Sequence, residues 1–290
     1  MNGFGKIDLH IHTTVSDGTY LPEEVLAFVR EGGFSLFSVT DHDAFKGCRI
    51  IAGLLLDGDP GFLSGAEFSC RDEEGQYHIL GYGFDPDAGS VNELVERGHE
   101  FRMKKLKERL DFLRREFGIR FSEADVEHLF ALDNPGKPHI AQIMVRDGLA
   151  STIPEAVDSF LNRIRFRNEY LRPEEVIRGI LSAGGIPVLA HPTFGPGDQL
   201  IMGEALDARI QKLAGFGLLG AEAYYPGFSG EQRGEILGLA ERYGLYVTAG
   251  SDCHGTNKQI PLGKTGLEDG EELPEGLRRF IEDTRERRMK

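Results

Sequence analysis

The chain is short of positive charge, of cysteine and of long apolar runs, and each shortage excludes something. Its 290 residues carry 33 lysines and arginines against 47 acidic residues, a formal charge of -14. A protein that grips long nucleic acid by its backbone should be basic, so broad duplex binding drops out of the expected partners. The three cysteines, Cys48, Cys70 and Cys253, are an odd number at unrelated spacings, which gives no disulfide framework. No apolar run reaches the length of a membrane span, and no basic segment followed by an apolar one opens the chain. The expectation is a cytoplasmic protein with no membrane partner. Internal repeats, low-complexity segments and coiled-coil heptads are also missing.

What is present begins with Asp8-Leu9-His10-Ile11-His12. Ile7, Leu9 and Ile11 alternate with Asp8, His10 and His12, so a strand would project both histidines from one face. Taken alone, the pair reads either as two ligands of one metal or as a chance repeat on a solvated edge strand. Further possible ligands follow in Ser16-Asp17-Gly18 and in Thr40-Asp41-His42-Asp43, where the alternative for both aspartates 41 and 43 is helix capping. Glu67, His78, Ala190-His191-Pro192 and Ser251-Asp252-Cys253-His254-Gly255 each stand beside an apolar, strand-like run. Strand alternation points Cys253 away from its neighbours and into packing. Imidazole and carboxylate without thiolate suit manganese, zinc or iron, whereas calcium and magnesium prefer oxygen alone.

Between these motifs the pattern alternates. Pro22-Glu23-Glu24 opens a helix that Gly32-Gly33 stops, and 35–40 reads as the next strand. Leu54-Leu55-Leu56 closes a second helical stretch, and strands follow at 62–68 and 77–82. From Val91 to Phe117 apolar residues recur at helical spacing over a stretch too long for a simple crossover. This predicts an inserted helical unit that continues through a Ser122-x-x-Asp125 cap and on to Leu161. Alternation resumes at Pro173-Glu174-Glu175, with strands at 186–189, 218–221 and 245–249, helices at 204–214 and 231–242, and a last helix from about Glu271. About seven β/α units with right-handed crossovers favour a parallel sheet, and ligands spread over most strand ends imply closure into a barrel. The expected division is a barrel of residues 1–85 and 172–290 with a helical insertion at 86–171.

The ordered set of motifs resembles the PHP (polymerase and histidinol phosphatase) superfamily over nearly the whole chain. The resemblance implies an α/β fold, a distorted seven-stranded, TIM-like β/α barrel with an inserted helical domain, and metal-dependent hydrolysis of phosphoesters. It also implies the ligand set. His10, His12, Glu67 and Asp252 would hold one ion and Asp17, His42 and His254 a second, while Glu67 would bridge to a third held by His78 and His191. Asp17 stands where some branches carry histidine. Two or three divalent transition-metal ions follow, manganese first, with zinc or iron as alternatives.

Ions a few ångströms apart can share a hydroxide and neutralise a phosphoryl group, so no serine or cysteine nucleophile is needed. Asp17, His42, Asp43, Glu67, His191 and His254 are the expected catalytic residues, with His191, His254 or Asp43 as donors of the leaving-group proton. The branch with the greatest similarity is the bacterial nucleoside 3',5'-bisphosphate phosphatase and ribonuclease group. A small phosphorylated substrate is therefore expected: a nucleotide, AMP-like or bisphosphorylated, or the end of a short RNA. The alternatives are a histidinol-phosphatase-like enzyme and a metal-binding module without catalysis. Arg102, Lys137, His139 and Tyr225 are the candidate substrate contacts. Pro138 should hold Lys137 extended; the competing reading of the segment is a solvated lysine and a capping histidine at a helix start.

Overall fold

The structure, a computed structural model, describes residues 5–166, 168–195, 199–268 and 270–289. The alternating segment at the start forms β1 (Lys6–Ile11), whose side chains are buried from Ile7 onward. Helix α1 (Pro22–Glu31) follows, with proline in its first turn and the Glu24 carboxylate accepting the Leu21 N–H at 2.8 Å. Next come β2 (Phe34–Val39), α2 (Lys46–Ala52) and β3 (Gly61–Leu63). The stretch Leu54-Leu55-Leu56 lies beyond α2 and not within it, with Leu54 and Leu56 exposed.

The segment expected as one strand over 62–68 is two. After β3 the chain breaks at Ser64 and continues as β4 (Gly65–Arg71). Gly65 permits the break, since a Cβ there would stand 2.2 Å from Ser38 Oγ and 2.7 Å from Val39 O. Strand β5 (Gln76–Tyr82) then returns antiparallel to β4. The connection is only four residues, too short for a crossover, and Asp72 Oδ1 closes the turn by accepting the Glu74 and Gly75 N–H groups. An all-parallel sheet is therefore not what forms.

Five helices separate β5 from the next strand: α3 (Gly89–Phe117), α4 (Glu123–Ala131), α5 (Lys137–Arg146), α6 (Ile153–Ser159) and α7 (Pro173–Ser182). The remainder is β6 (Ile186–Leu189), α8 (Glu204–Phe216), β7 (Gly220–Tyr224), α9 (Gly230–Tyr243), β8 (Tyr246–Ala249) and α10 (Glu275–Asp283). Among the described residues the ladders form a mixed α/β fold with two sheets, a parallel one ordered β1-β2-β3 and one ordered β4-β5-β6-β7-β8, in place of a single closed ring of seven strands. In the second sheet β5 runs antiparallel to both its neighbours, and β6, β7 and β8 are parallel. Isolated parallel bridges link the two sheets at either side, Ile11 to Cys253 and His42 to Glu67. Both bridges fall at residues that carry the motifs.

One hydrophobic core runs between the sheets and their helices, including Leu9, Phe37, Phe68, Leu80, Ile180 and Phe280. A second, separate cluster gathers Leu106, Leu113, Leu129, Ile140, Met144 and Leu161. Helix α3 belongs to both, because Val91 and Leu94 near its start pack into the main core and Leu106 and Leu113 into the second. Among the described residues no helix is long and apolar enough to cross a membrane.

Candidate active site

Strand ends place the ligand-type side chains around Glu67, which is buried in β4. Its Oε2 lies 3.3 Å from His10 Nε2, 3.2 Å from His12 Nε2 and 3.1 Å from His42 Nδ1. Its Oε1 lies 2.9 Å from His78 Nδ1 and 3.2 Å from His191 Nε2. One carboxylate thus faces five imidazoles. Asp252 Oδ1 stands 3.3 Å from both His12 Nε2 and His254 Nδ1, and Asp17 Oδ1 is 3.3 Å from His254 Nε2. The rings of His12 and His254 stack at 4.0 Å.

All nine ligand-type residues expected from the sequence are brought together. Among the described residues three groups of donor atoms are tight enough to share an ion: His12, Asp17, His42 and His254; His10, His12 and Glu67; and His42, Glu67 and His78. His10, His12 and Glu67 are sealed from solvent, whereas the His78 and His191 side chains are 33% and 19% exposed, so the cluster opens on their side.

Among the described residues His10 Nε2, His12 Nε2, His42 Nδ1 and Asp17 Oδ1 are buried with no hydrogen-bond partner. Such atoms are costly to leave unmet. Electrostatics point the same way. Burial would lower the pKa of His10, but Glu67, Glu222 and Asp252 outweigh it and hold it well above the usual histidine value. Burial likewise opposes protonation of His12, yet Asp252 and Glu67 push it up to about 9. For Glu67 burial acts to raise the pKa and is overcome by His78, His10 and His42, which hold it well below the usual range. The carboxylates create a field that calls for positive charge, and divalent cations ligated by the orphaned atoms satisfy both demands. The donor set therefore fits divalent metal ions.

Backbone strain collects here as well. Asp43, His191 and Asp252 have φ of 47°, 28° and 53°, and among the described residues they are the non-glycine positions with positive φ. Strain of this kind persists where the surroundings over-determine it, commonly at functional sites.

Glu222 and Lys258 escaped the sequence reading, and Asp8, Asp41 and Tyr225 take supporting roles that it did not assign. Glu222 of β7 sits 3.0 Å from His10 Nδ1 and accepts the His191 N–H at 2.8 Å, so one carboxylate orients two of the cluster's histidines. Asp41 accepts from Thr13 N and Oγ1 at 2.8 Å each and from Ser16 Oγ at 2.7 Å, which ties the loop after β1 to β2. Asp8, with a pKa raised to about 6 by burial, accepts from Ser251 N and Gly263 N. The outer oxygen of Asp252 accepts from Lys258 Nζ and from Tyr225 Oη. Only alternation could have suggested Glu222 or Asp8, since polar residues on buried faces need partners. Lys258 lay in a loop with no periodic signal.

The expected substrate contacts divide. Arg102 of α3 is buried against the site, its Nε 2.6 Å from Asp43 Oδ2 and its guanidinium 3.0 Å from Ser69 Oγ. Tyr225, beside His191 and hydrogen-bonded to Asp252, walls a pocket with Phe228, Arg233 and Lys264. Lys137 does not stand extended before a helix. It is the first residue of α5, and Gly136 takes the extended conformation, because proline in a first turn has no N–H to satisfy. His139 Nδ1 accepts the Gly136 N–H at 2.9 Å, which makes it a helix cap. The loop before α5 nevertheless touches the cluster: a Cβ on Gly136 would lie 3.4 Å from Asp17 Oδ2, and Asn134 Nδ2 donates to the His42 carbonyl.

No protein-family model matches the sequence. Among curated relatives, a phosphoribosyl 1,2-cyclic phosphate 1,2-diphosphodiesterase from Eggerthella lenta is 30% identical over 264 residues, which cover 88% of this chain and 96% of that one. A 3',5'-nucleoside bisphosphate phosphatase from Chromobacterium violaceum is 27% identical, with 86% and 87% covered, and a 5'-3' exoribonuclease from Haemophilus influenzae is 27% identical, with 89% and 93% covered. The crystal structure of a proposed metal-dependent phosphoesterase from Bifidobacterium adolescentis superposes with a TM-score of 0.79 at 28% identity, covering 95% of each chain. With the clustered ligands, these likenesses place the chain in the PHP family of metal-dependent phosphoesterases, and it is a hydrolase.

Proposed function

We propose that the chain hydrolyses a phosphomonoester of a nucleotide, with nucleoside 3',5'-bisphosphates first and AMP-like nucleotides or the end of a short RNA beside them. The observation that carries this reading is Glu67 set among five imidazoles, with buried donor atoms around it that lack partners. The relatives named for a nucleoside bisphosphate phosphatase and an exoribonuclease support the nucleotide class. His10, His12, Glu67 and Asp252 would hold one ion and Asp17, His42 and His254 another. His78 and His191 would share a third with Glu67, and manganese suits this mixed nitrogen and oxygen set. When bound, such ions supply Lewis acidity and bring the pKa of water toward neutrality.

The chain's own residues orient and protonate. Glu222 fixes the ring of His10, while Lys258 and Tyr225 fix Asp252 from its outer side. For the leaving-group proton, Asp43 is a poor choice because Arg102 and the Ser69 N–H engage its two oxygens. His254 has its Nδ1 against the Asp252 carbonyl and its Nε2 at Asp17. His191, on the open side, is the donor we favour, through Nδ1, the ring nitrogen not turned to Glu67.

In this reading β3 and β4 count as one strand broken at Ser64, and the two sheets form an interrupted seven-stranded barrel; the bridges at both seams support it. The helical insertion, residues 86–171, is supported by its own hydrophobic cluster. It brings Arg102, Lys137 and His139 toward the substrate, and Tyr225 walls the other side. The test is a manganese-supplemented screen of nucleoside bisphosphates, monophosphates, short RNA and histidinol phosphate. The highest kcat/KM should fall on a nucleotide; a preference for histidinol phosphate would move the assignment to a small-molecule phosphatase.

A further inference from the structure

Among the described residues Lys258 is the one lysine or arginine whose charged group pairs with any of the nine ligand-type residues, and its partner is Asp252. The two oxygens of Asp252 face different ways. Oδ1 turns inward, 3.6 Å from His10 Nε2 and 3.3 Å from His12 Nε2 and His254 Nδ1, while Oδ2 turns outward to Lys258 Nζ and Tyr225 Oη. The Tyr225 ring borders that of His191, with centroids 5.8 Å apart, so the ammonium sits on the side where the cluster opens. The Lys258 side chain is itself 38% exposed. An ammonium carries three N–H groups; Asp252 engages one, and among the described residues the others meet no acceptor.

The loop that carries Lys258 is clamped on two sides. Gly255, at φ 62°, lets the chain pass so close to Thr19 that a Cβ there would stand 2.1 Å from Thr19 Oγ1. That hydroxyl accepts the Thr256 N–H at 2.9 Å, and Asn257 Nδ2 donates to the Asp17 carbonyl at 2.8 Å. Asn257 Oδ1 in turn accepts from Gln142 Nε2 of α5 at 3.0 Å. Lys258 leaves this clamp in an extended conformation, so its charge is positioned before any anion arrives. A phosphoryl group entering the site brings negative charge to Glu67, Asp17 and Asp252. A fixed ammonium at its edge is the kind of preorganised donor that stabilises such charge.

We infer that Lys258 is a catalytic residue: while Asp252 keeps one of its N–H groups, another donates to a non-bridging oxygen of the scissile phosphoryl. This rests on the phosphoesterase reading above and adds to it a group that acts on the phosphoryl itself, whatever alcohol bears it. Water's oxygen bonds to phosphorus as the ester bond breaks, His191 gives a proton to the leaving alkoxide, and a proton from the water restores His191. Lys258 gives up none and stays an ammonium throughout.

The test compares wild type with Lys258→Met and Lys258→Arg at manganese concentrations that saturate each protein, with metal content and urea midpoints measured alongside. In Lys258→Met kcat/KM should fall about tenfold or more, as for loss of a charge-assisted hydrogen bond. The factor should be similar on adenosine 3',5'-bisphosphate and on 4-nitrophenyl phosphate, because both present the same phosphoryl group. Lys258→Arg, which keeps the charge, should recover part of the loss. Calorimetric titration of inorganic phosphate into the manganese-loaded proteins should show affinity weakened by a like factor. If Lys258→Met fails to fold, Lys258→Gln takes its place in both measurements. Activity that returns to the wild-type level once manganese saturates would mean that Lys258 only orients Asp252, and would overturn the inference. A fall confined to the bisphosphate would overturn it too, since the contact would then lie on another part of the substrate. Unchanged kcat/KM and unchanged phosphate affinity would sink the contact and leave the phosphoesterase reading intact. If wild type hydrolyses neither ester yet binds inorganic phosphate about tenfold more tightly than Lys258→Met, the activity reading fails and the phosphate contact stands.

Discussion

Glu222 Oε1 stands 3.0 Å from His10 Nδ1, a contact between two fully buried side chains. The other oxygen of Glu222 holds the backbone of His191, so β7 sets the orientation of ligand-type histidines on β1 and after β6 at once. Removing the charge while keeping the shape, Glu222→Gln, should weaken metal affinity about 10- to 100-fold, as outer-shell partners of ligating histidines typically do. Metal titration with a competing chelator checks this, and unchanged affinity in a folded variant would show that His10 needs no such partner.

Glu67 and His78 should differ in severity. Glu67 lies within 3.3 Å of five imidazoles, whereas His78 contacts the cluster at its open edge. Glu67→Gln is expected to lose more activity and more bound metal than His78→Ala. Equal losses of activity and of bound metal in two folded variants would contradict the bridging role.

Gly98 of α3 packs on Asp43, and a Cβ there would stand 2.9 Å from Asp43 Cβ. Gly98→Ala must push α3 away from the residue that Arg102 holds, at a cost of about 1–3 kcal/mol for overpacking. Denaturant unfolding should show that loss together with a fall in kcat, while Gly118→Ala, at an open helix end, should leave kcat alone.

Stability should carry the imprint of Lys105. Its folded pKa of about 7 lies below the unfolded value near 10.4, so between them the unfolded chain binds a proton that the folded one does not. Stability therefore rises with pH across that window, and below it the buried charge exacts its full cost. Lys105→Met should be more stable than wild type at about pH 6, by on the order of 1 kcal/mol, with the gain fading toward about pH 10. Urea midpoints at the two pH values, without phosphate in the buffer, measure it.

Much of the site was legible because strand ends and short loops keep chemistry close to sequence. His10 and His12 need only a period of two, and the Thr40-Asp41-His42-Asp43 cluster directly follows β2. What was not legible depended on contacts between distant segments. Glu222 lies 212 residues from His10, and Asp8 caps loops at 251 and 263. The expected single strand at 62–68 failed because its break depends on the absent side chain of Gly65 meeting β2, which periodicity does not register. The antiparallel β5 could have been seen, since the residues between the expected strands at 62–68 and 77–82 are too few to hold a crossover helix. Spacing alone does not single out Lys105 and Arg109, because helical charge pairing with nearby glutamates is the usual fate of basic residues on a long helix. Only the packing of Tyr170 and Phe166 over them shows that they are buried.

The most direct measurement is metal content and phosphate release on the same protein: strip the purified chain with chelator, restore manganese, count bound ions by elemental analysis and follow phosphate from adenosine 3',5'-bisphosphate. The overlapping donor groups around Glu67 and Asp17 lead us to expect at least about two ions per chain, with hydrolysis that vanishes on chelation and returns with the metal. Trace metal after reconstitution, with hydrolysis unchanged in chelator, would contradict the account.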